Sequence, residues 1–323
     1  MSYPLYREFP GDIVLRPDYR LQDCKIYGFI FESNNGDKSV LQQLCDERLN
    51  FPTDWDRRYV PLSPNVMVTF ARTPFAVSTE ADDSRKGYIQ EDEIVFWILT
   101  IEYRRINGEW QPQRPVWFVP YIFVNNVFAL LAGRELYGYP KTIGTFNIPE
   151  HPAYADLFTI NTMAFKTFSP NTQLIDHRLV EISRTEPPKS GSGTWSSLGQ
   201  AVDNLKAMFY DKMLLKEWTL LKNIGKVATR LEMPLVFLKQ FRHLADPGRA
   251  CYQAIVEGPI FIDRFHEGGL LPGTYDLTIH HLDSFPLSAS LGLPLTGLKT
   301  SGAFWLRVDF TNIGGDELWK AER

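Results

Sequence analysis

The chain of 323 residues has little that reaches toward a polymer or a membrane. Its three cysteines, Cys24, Cys45 and Cys251, are odd in number and widely spaced, which excludes a disulfide framework. Its first residues, MSYPLYREFPGDIVLRP, put charges and prolines where an export signal needs an apolar run. No stretch reaches the roughly 18 uncharged apolar residues of a helical membrane span. A formal charge of -4 with no long basic block argues against a nucleic-acid partner but leaves room for a small anionic substrate. These absences lead to the expectation of a chain in a reducing cytoplasm, with neither nucleic acid nor membrane as a partner.

The motifs of common cofactors are missing as well. No G-x-G-x-x-G follows a strand, and there is no Walker phosphate loop. None of the six histidines stands in H-E-x-x-H; His266-Glu267 runs on into Gly-Gly-Leu. His280 and His281 are adjacent in an expected strand, so their side chains should leave on opposite faces and cannot chelate one metal together. No G-x-S-x-G elbow is present. Neither a metal nor an organic cofactor is expected.

What the chain does have is many short β-type runs. KIYGFIFES (25–33), NVMVTFART (65–73) and EIVFWILTIEYRR (93–105) are rich in aromatic and branched residues that suit a pleated surface. INGEW suggests a hairpin return into RPVWFVPYIFV. LFTINTMAFKTF, LVEISR, PLVFLKQFRHL, ACYQAIVEG, YDLTIHHLDSF and AFWLRVDFTNI continue the pattern. Gly, Pro, Asn and Asp separate these runs, which favours a mainly β sandwich or barrel, and the length allows one large domain or two ordinary ones. Two segments read as helical. One is 37–49, with Val40, Leu41, Leu44 and Cys45 on one face and Asp37 or Ser39 as its cap. The other is about 197–231, after a linker TEPPKSGSG and before Pro234. Together, linker and helix (187–233) read as an insertion packed on the barrel, whether as a covering helix, a lid or an oligomer contact.

GRELYGYPKTIG (133–144) stands out because it holds a single lysine, Lys141, among aromatics, after the apolar run FVPYIFVNNVFALLA. The plain reading of Lys141 is a solvated charge after a turn, since lysine is rarely buried without a partner. The other reading is an amine kept in a pocket. Tyr137, Tyr139 and Pro140 before it, and Ile143 and Phe146 after it, would strip its solvation and favour the neutral form. Only that form is a nucleophile. A free lysine titrates near ~10.4, so work at neutral pH needs a shift of roughly 3–4 units, or about 4–5 kcal/mol. Burial can supply this, and so can a second cation, but position 142 is Thr.

The stretch resembles the active-site loop of the acetoacetate decarboxylases, G-R-E-x-x-x-[YF]-P-K-K-[LI]-G. FLKQFRHLADPGRACYQAIVEG (237–258) is similar to that family's later strand pair. YDLTIHHLDSFPLSASLGLPL and SGAFWLRVDF are similar in placement to its last segments. The resemblance implies an α+β, mainly β fold in one domain, 1–323: a closed, cone-like antiparallel β-barrel with flanking helices around an apolar cavity. It implies that Lys141 is a Schiff-base lysine and that an upstream glutamate serves it. GYIQEDEIVFW offers Glu93 first and Glu91 second, and a solvated acidic turn is the other reading of the same residues. Tyr88, Tyr137, Tyr139, Thr142 and Thr69 are the expected pocket residues. Three departures stand out: Thr142 replaces the family's second lysine, Thr69 falls where a second glutamate is usual, and no arginine aligns with the family's N-terminal one, although Arg16 and Arg20 lie upstream.

The expected function is therefore a carbon–carbon lyase that acts on a small keto acid or ketone through an imine on Lys141 and assembles as a homo-oligomer. Decarboxylation is one outcome of that imine, and aldol condensation with dehydration is another. A barrel that binds an apolar or keto ligand without turning it over is the non-enzymatic alternative.

Overall fold

The computed structural model describes residues 5–7, 15–186, 193–210 and 231–322. Its strands, in chain order, begin with β1 (Tyr19–Glu32), β2 (Arg57–Ser78), β3 (Ile89–Ile106), β4 (Glu109–Val124) and β5 (Lys141–Ile143). There follow β6 (Thr145–Asn147), β7 (Leu157–Ala164), β8 (Ile175–Arg184), β9 (Thr194–Trp195) and β10 (Leu231–Arg242). The last are β11 (Ala250–Leu270), β12 (Tyr275–Ile279), β13 (Leu298–Lys299), β14 (Gly302–Asn312) and β15 (Asp316–Lys320). The α-helices among the described residues are α1 (Ser39–Arg48), α2 (Val127–Ala132), α3 (Leu198–Tyr210) and α4 (Leu287–Leu291).

The larger sheet runs β10-β11-β14-β1-β2-β3-β4-β5, and β10 also pairs with β4. That extra pairing brings the path back on itself. It is short, Leu235 with Trp117 and Val236 with Phe118, and it is parallel, as is the β4–β5 pairing. The other neighbours along the path are antiparallel. The expectation of a mainly β fold is met, in a largely antiparallel ring of strands whose seam is parallel. The hairpin expected at INGEW is present: Asn107 (φ 53°) and Gly108 (φ 87°) both take the left-handed conformation that a tight two-residue loop needs.

A second sheet, β13-β12-β8-β7-β6, covers one outer face of the ring. This explains why the long strands read as almost continuous apolar runs: both of their faces are buried. In β1, Tyr27, Phe29 and Phe31 join the core shared with the second sheet, where Phe29 meets Phe158 and Tyr275 edge to face. Ile30 and Cys24 belong to the inner core of the ring. In β3, Ile94, Phe96 and Ile98 face outward and Val95 inward.

The first expected helix is α1, with Leu41, Leu44 and Cys45 buried; its cap position is Lys38, and Asp37 just before it accepts the Ser39 backbone N–H at 2.9 Å. The second is helical as α3, while residues 211–230 lie outside the described residues. Pro234, expected to end that helix, stands inside β10 instead. β12 stops at Ile279, so His280 and His281 are exposed loop residues rather than strand neighbours. Helix α2 was not foreseen. Its signal was Asn126, whose side chain accepts from Phe128 N and Ala129 N at the helix start.

Candidate active site

The loop that carries Lys141 is built by helix ends and one close approach. After α2, residues Gly133–Tyr137 form a single wide π turn, and Gly138 ends it in the left-handed conformation, φ 79°. The chain then doubles back: Tyr139 N donates to Gly133 O at 2.9 Å, and Lys141 N donates to Tyr139 O at 2.7 Å. The Arg134 guanidinium donates to Lys141 O at 3.1 Å. Pairing of Lys141 with Ile122 then fixes β5 against β4. Gly133 lets the lysine stem lie against the turn. A Cβ there would stand 2.6 Å from Lys141 Cδ and 3.0 Å from Cε.

Lys141 is only 7% exposed. Its Nζ lies 3.3 Å from Glu91 Oε2, and Glu91 is buried too. Period-2 alternation along β3 explains the choice among the three acids of QEDE. Glu91 and Glu93 face the inside of the ring, whereas Asp92 leaves on the other side and pairs with Arg72 at 2.9 Å. Glu91, the second choice from sequence, is therefore the direct partner of the amine, and Glu93 stands two residues further along the same face. Burial, reinforced by the negative charge of Glu91 and opposed by Lys141, pushes the Glu93 carboxyl up to about 7.

Tyr139 completes the group. Its ring centroid is 5.9 Å from Lys141 Nζ, and it stacks on Tyr137 at 4.9 Å. Burial, followed by the charges of Glu93 and Glu91, raises its hydroxyl far above the ordinary tyrosine value, so it remains a hydrogen-bond donor. That hydroxyl and Asn312 Oδ1 are buried without a hydrogen-bond partner among the described residues.

These groups stand at one end of a cavity of about 780 Å³ inside the strand ring. A further void of about 30 Å³, bordered by Tyr19, Tyr137 and Asn312, adjoins Lys141 and Glu91. Of the residues expected at the pocket, Thr69 and Tyr139 line the cavity and Tyr137 the small void. Thr69 is occupied, accepting from Trp97 Nε1 at 2.8 Å. Two others are elsewhere. Tyr88 sits before β3, 55% exposed against Phe75, because the chain enters the sheet only at Ile89. Thr142 pairs with Phe123, a residue of the outer core, so alternation turns it away from the face that carries Lys141. The departure at position 142 thus leaves the cavity lining unchanged. Arg16 is engaged with Asp83 at 3.0 Å and does not line the cavity.

Asn312 was missed from sequence, although a signal existed. Phe304, Leu306, Val308 and Phe310 alternate along β14 on the cavity side, and Asn312 is the polar residue that breaks this row. Trp97 and Trp117, edge to face at 5.8 Å on the cavity wall, were read only as strand residues.

Fold and site together define a β-rich ring with a buried lysine–carboxylate centre at one end of an apolar cavity. Residues 39–167, which include that centre, match the family model of acetoacetate decarboxylase (ADC). The chain is similar to the acetoacetate decarboxylase structure from Legionella pneumophila subsp. pneumophila str. Philadelphia 1, with 14% identity and a TM-score of 0.60 over 99% of this chain and 93% of that one. It is similar to the enduracididine biosynthesis enzyme MppR complexed with pyruvate, with 14% identity and a TM-score of 0.56 over 98% and 99%. It is also similar to an acetoacetate decarboxylase-like enzyme from Sphingomonas wittichii RW1, with 14% identity and a TM-score of 0.54 over 94% and 92%. None of the curated proteins matches the chain by sequence. GRELYGYPKTIG lies within the residues that match the family model, and the solved structures share the fold that the resemblance implied.

Proposed function

We propose that the protein is a Schiff-base-forming lyase of the acetoacetate decarboxylase type, with Lys141 Nζ as nucleophile and a keto acid as substrate. The observation that carries this reading is the buried 3.3 Å contact between Lys141 Nζ and Glu91 Oε2 at the end of the apolar cavity. In this reading the strand ring works as a closed, cone-like barrel that keeps bulk water from the amine.

Glu91 takes a proton from Nζ, and the neutral amine adds to the ketone carbonyl. Glu93, which holds its proton to about pH 7, gives that proton to the carbinolamine oxygen, which leaves as water. The iminium is then an electron sink. The bond to the carboxylate breaks, its electron pair moves into the sink, and carbon dioxide departs from an enamine. Protonation of the enamine carbon and addition of water return the ketone and the free lysine. In this reading the Tyr139 hydroxyl, buried without a partner among the described residues, donates to a substrate oxygen during these steps.

A second reading uses the same iminium for aldol addition and dehydration. The likeness to MppR favours it, since one MppR structure holds the condensation product of pyruvate and imidazole 4-carboxaldehyde. Sodium borohydride trapping with a panel of keto acids, followed by peptide mass mapping, tests the imine. A reduced adduct on Lys141, absent from Lys141→Ala, supports it. No adduct with any member of the panel overturns it. Carbon dioxide release measured beside an aldol-product assay separates the two reactions.

A further inference from the structure

We infer that the substrate carries a long, unbranched apolar tail and that the cavity beyond Lys141 is its binding site. This rests on the imine reading for the head group, but the argument for the tail comes from the rest of the cavity. A volume of about 780 Å³ lies in the upper part of the ~300–1,000 Å³ range of sites for drug-sized ligands. A four-carbon keto acid would occupy a small part of it.

The cavity is also elongated, and its β3 wall is graded in polarity. β3 contributes Glu91, Glu93, Val95, Trp97 and Leu99 on one face. The eight steps from Glu91 to Leu99, at ~3.3 Å each, make this row about 26 Å long. Its first two members are the carboxylates beside the amine, and the other three are apolar. The adjacent strand β4 continues the apolar wall: Ile122 pairs with Val95 and with Lys141 at the lysine end, and Trp117 pairs with Leu99 further along.

Helix α3 covers the far half. Met208 packs on Gly302, Gly302 pairs with Ile30, Ile30 with Met67, and Met67 with Trp97. From this position Leu198, Ala201, Val202 and Leu205 face the cavity, at the spacing of one helix face. At the far end Arg114 donates to Glu102 Oε2 at 2.8 Å and to Glu257 Oε2 at 2.5 Å. Asp203, Lys206 and Glu232 also border the cavity, so charges of both signs stand there and none calls for a charged end on the tail. The apolar contacts between the lysine and that end follow one strand face, which fits a linear acyl chain.

Decarboxylation of such a 3-oxo acid, R–CO–CH2–COO⁻, takes up one proton and gives carbon dioxide and the methyl ketone R–CO–CH3. A reaction that forms or releases straight-chain 3-oxo acids must supply the substrate.

The test uses the full-length protein and straight-chain 3-oxo acids from four to about twelve carbons, with borohydride trapping as one readout. The matching methyl ketones are titrated in parallel by quenching of tryptophan fluorescence, which needs no covalent step. Both apparent affinities are expected to rise about three- to four-fold for each added methylene until the cavity is full. Val202→Trp, which narrows the far half, is expected to lower the ratio of long-chain to short-chain affinity in both readouts. Trapping that is flat or falls beyond four carbons, with flat ketone binding, overturns the tail site and leaves the imine standing. Ketone affinity that rises with length while no acid gives an adduct keeps the tail site and overturns the lysine reading.

Discussion

Gly133→Ala isolates the placement of the amine from the integrity of the fold. Gly133 has helical dihedrals, φ -60° and ψ -45°, so alanine fits its backbone without strain. Carbon atoms in contact prefer about 3.5–4.0 Å, and the new methyl would stand 2.6 Å from Lys141 Cδ. The obstacle is a flexible side chain, so the lysine stem moves by about 1 Å instead of the backbone. Helix propensity favours alanine by about 1 kcal/mol, and the crowding costs about 1–3 kcal/mol. The melting temperature should therefore fall by only a few degrees. The amine loses its 3.3 Å contact with Glu91 and its line of attack. A misplacement of about 1 Å costs on the order of 100-fold in rate, equivalent to about 2.7 kcal/mol. The assay is the rate of borohydride trapping with a reactive keto acid, beside a thermal melt of the same sample. Trapping at the wild-type rate by a folded Gly133→Ala protein would refute the reasoning, because the stem would then not depend on that contact.

Tyr139→Phe removes a buried hydroxyl that has no partner among the described residues. Urea unfolding should show unchanged or slightly higher stability, by up to about 1 kcal/mol, while turnover falls roughly 10- to 100-fold; lower stability with full turnover would contradict the assigned role. Glu93 holds its proton to about 7 in the folded protein against 4.5 for the ordinary group. The folded state therefore binds more protons between these values, and the Glu93 contribution to stability is present below 4.5 and lost as pH rises through 7. Glu93→Gln should abolish that decline in a urea-unfolding series across the window, and a decline equal to wild type would count against it. Gly138→Ala meets both a positive φ of 79° and a Cβ position 2.6 Å from Lys239 Cβ. A loss of about 2–4 kcal/mol is expected by chemical denaturation.

The strand content was legible because residue type and turn chemistry act locally. Asn107-Gly108 marks a hairpin whatever surrounds it, since few other pairs accept two left-handed residues. The choice between Glu91 and Glu93 was less legible. Both have the same parity, so alternation puts both on one face, and only the register of β3 against β4 and of β4 against β5 decides which stands at the amine. Tyr88 was misplaced because a strand's first residue depends on where its neighbour's hydrogen bonds begin. Thr142 was given weight as a neighbour in sequence, but adjacent residues of a strand occupy opposite faces.

By itself the sequence determined a mainly β chain, the hairpin, the first helix and a lysine set in a loop of glycines and tyrosines. These follow from preferences that a few residues settle among themselves. Tertiary structure decided what that lysine meets. The return of β10 onto β4, the burial of both faces of the ring and the seat of α3 are contacts between residues far apart in the chain. They set the cavity's length and polarity and bring Glu91, from another strand, to 3.3 Å from Lys141 Nζ, because burial and pairing are satisfied only when the whole ring forms.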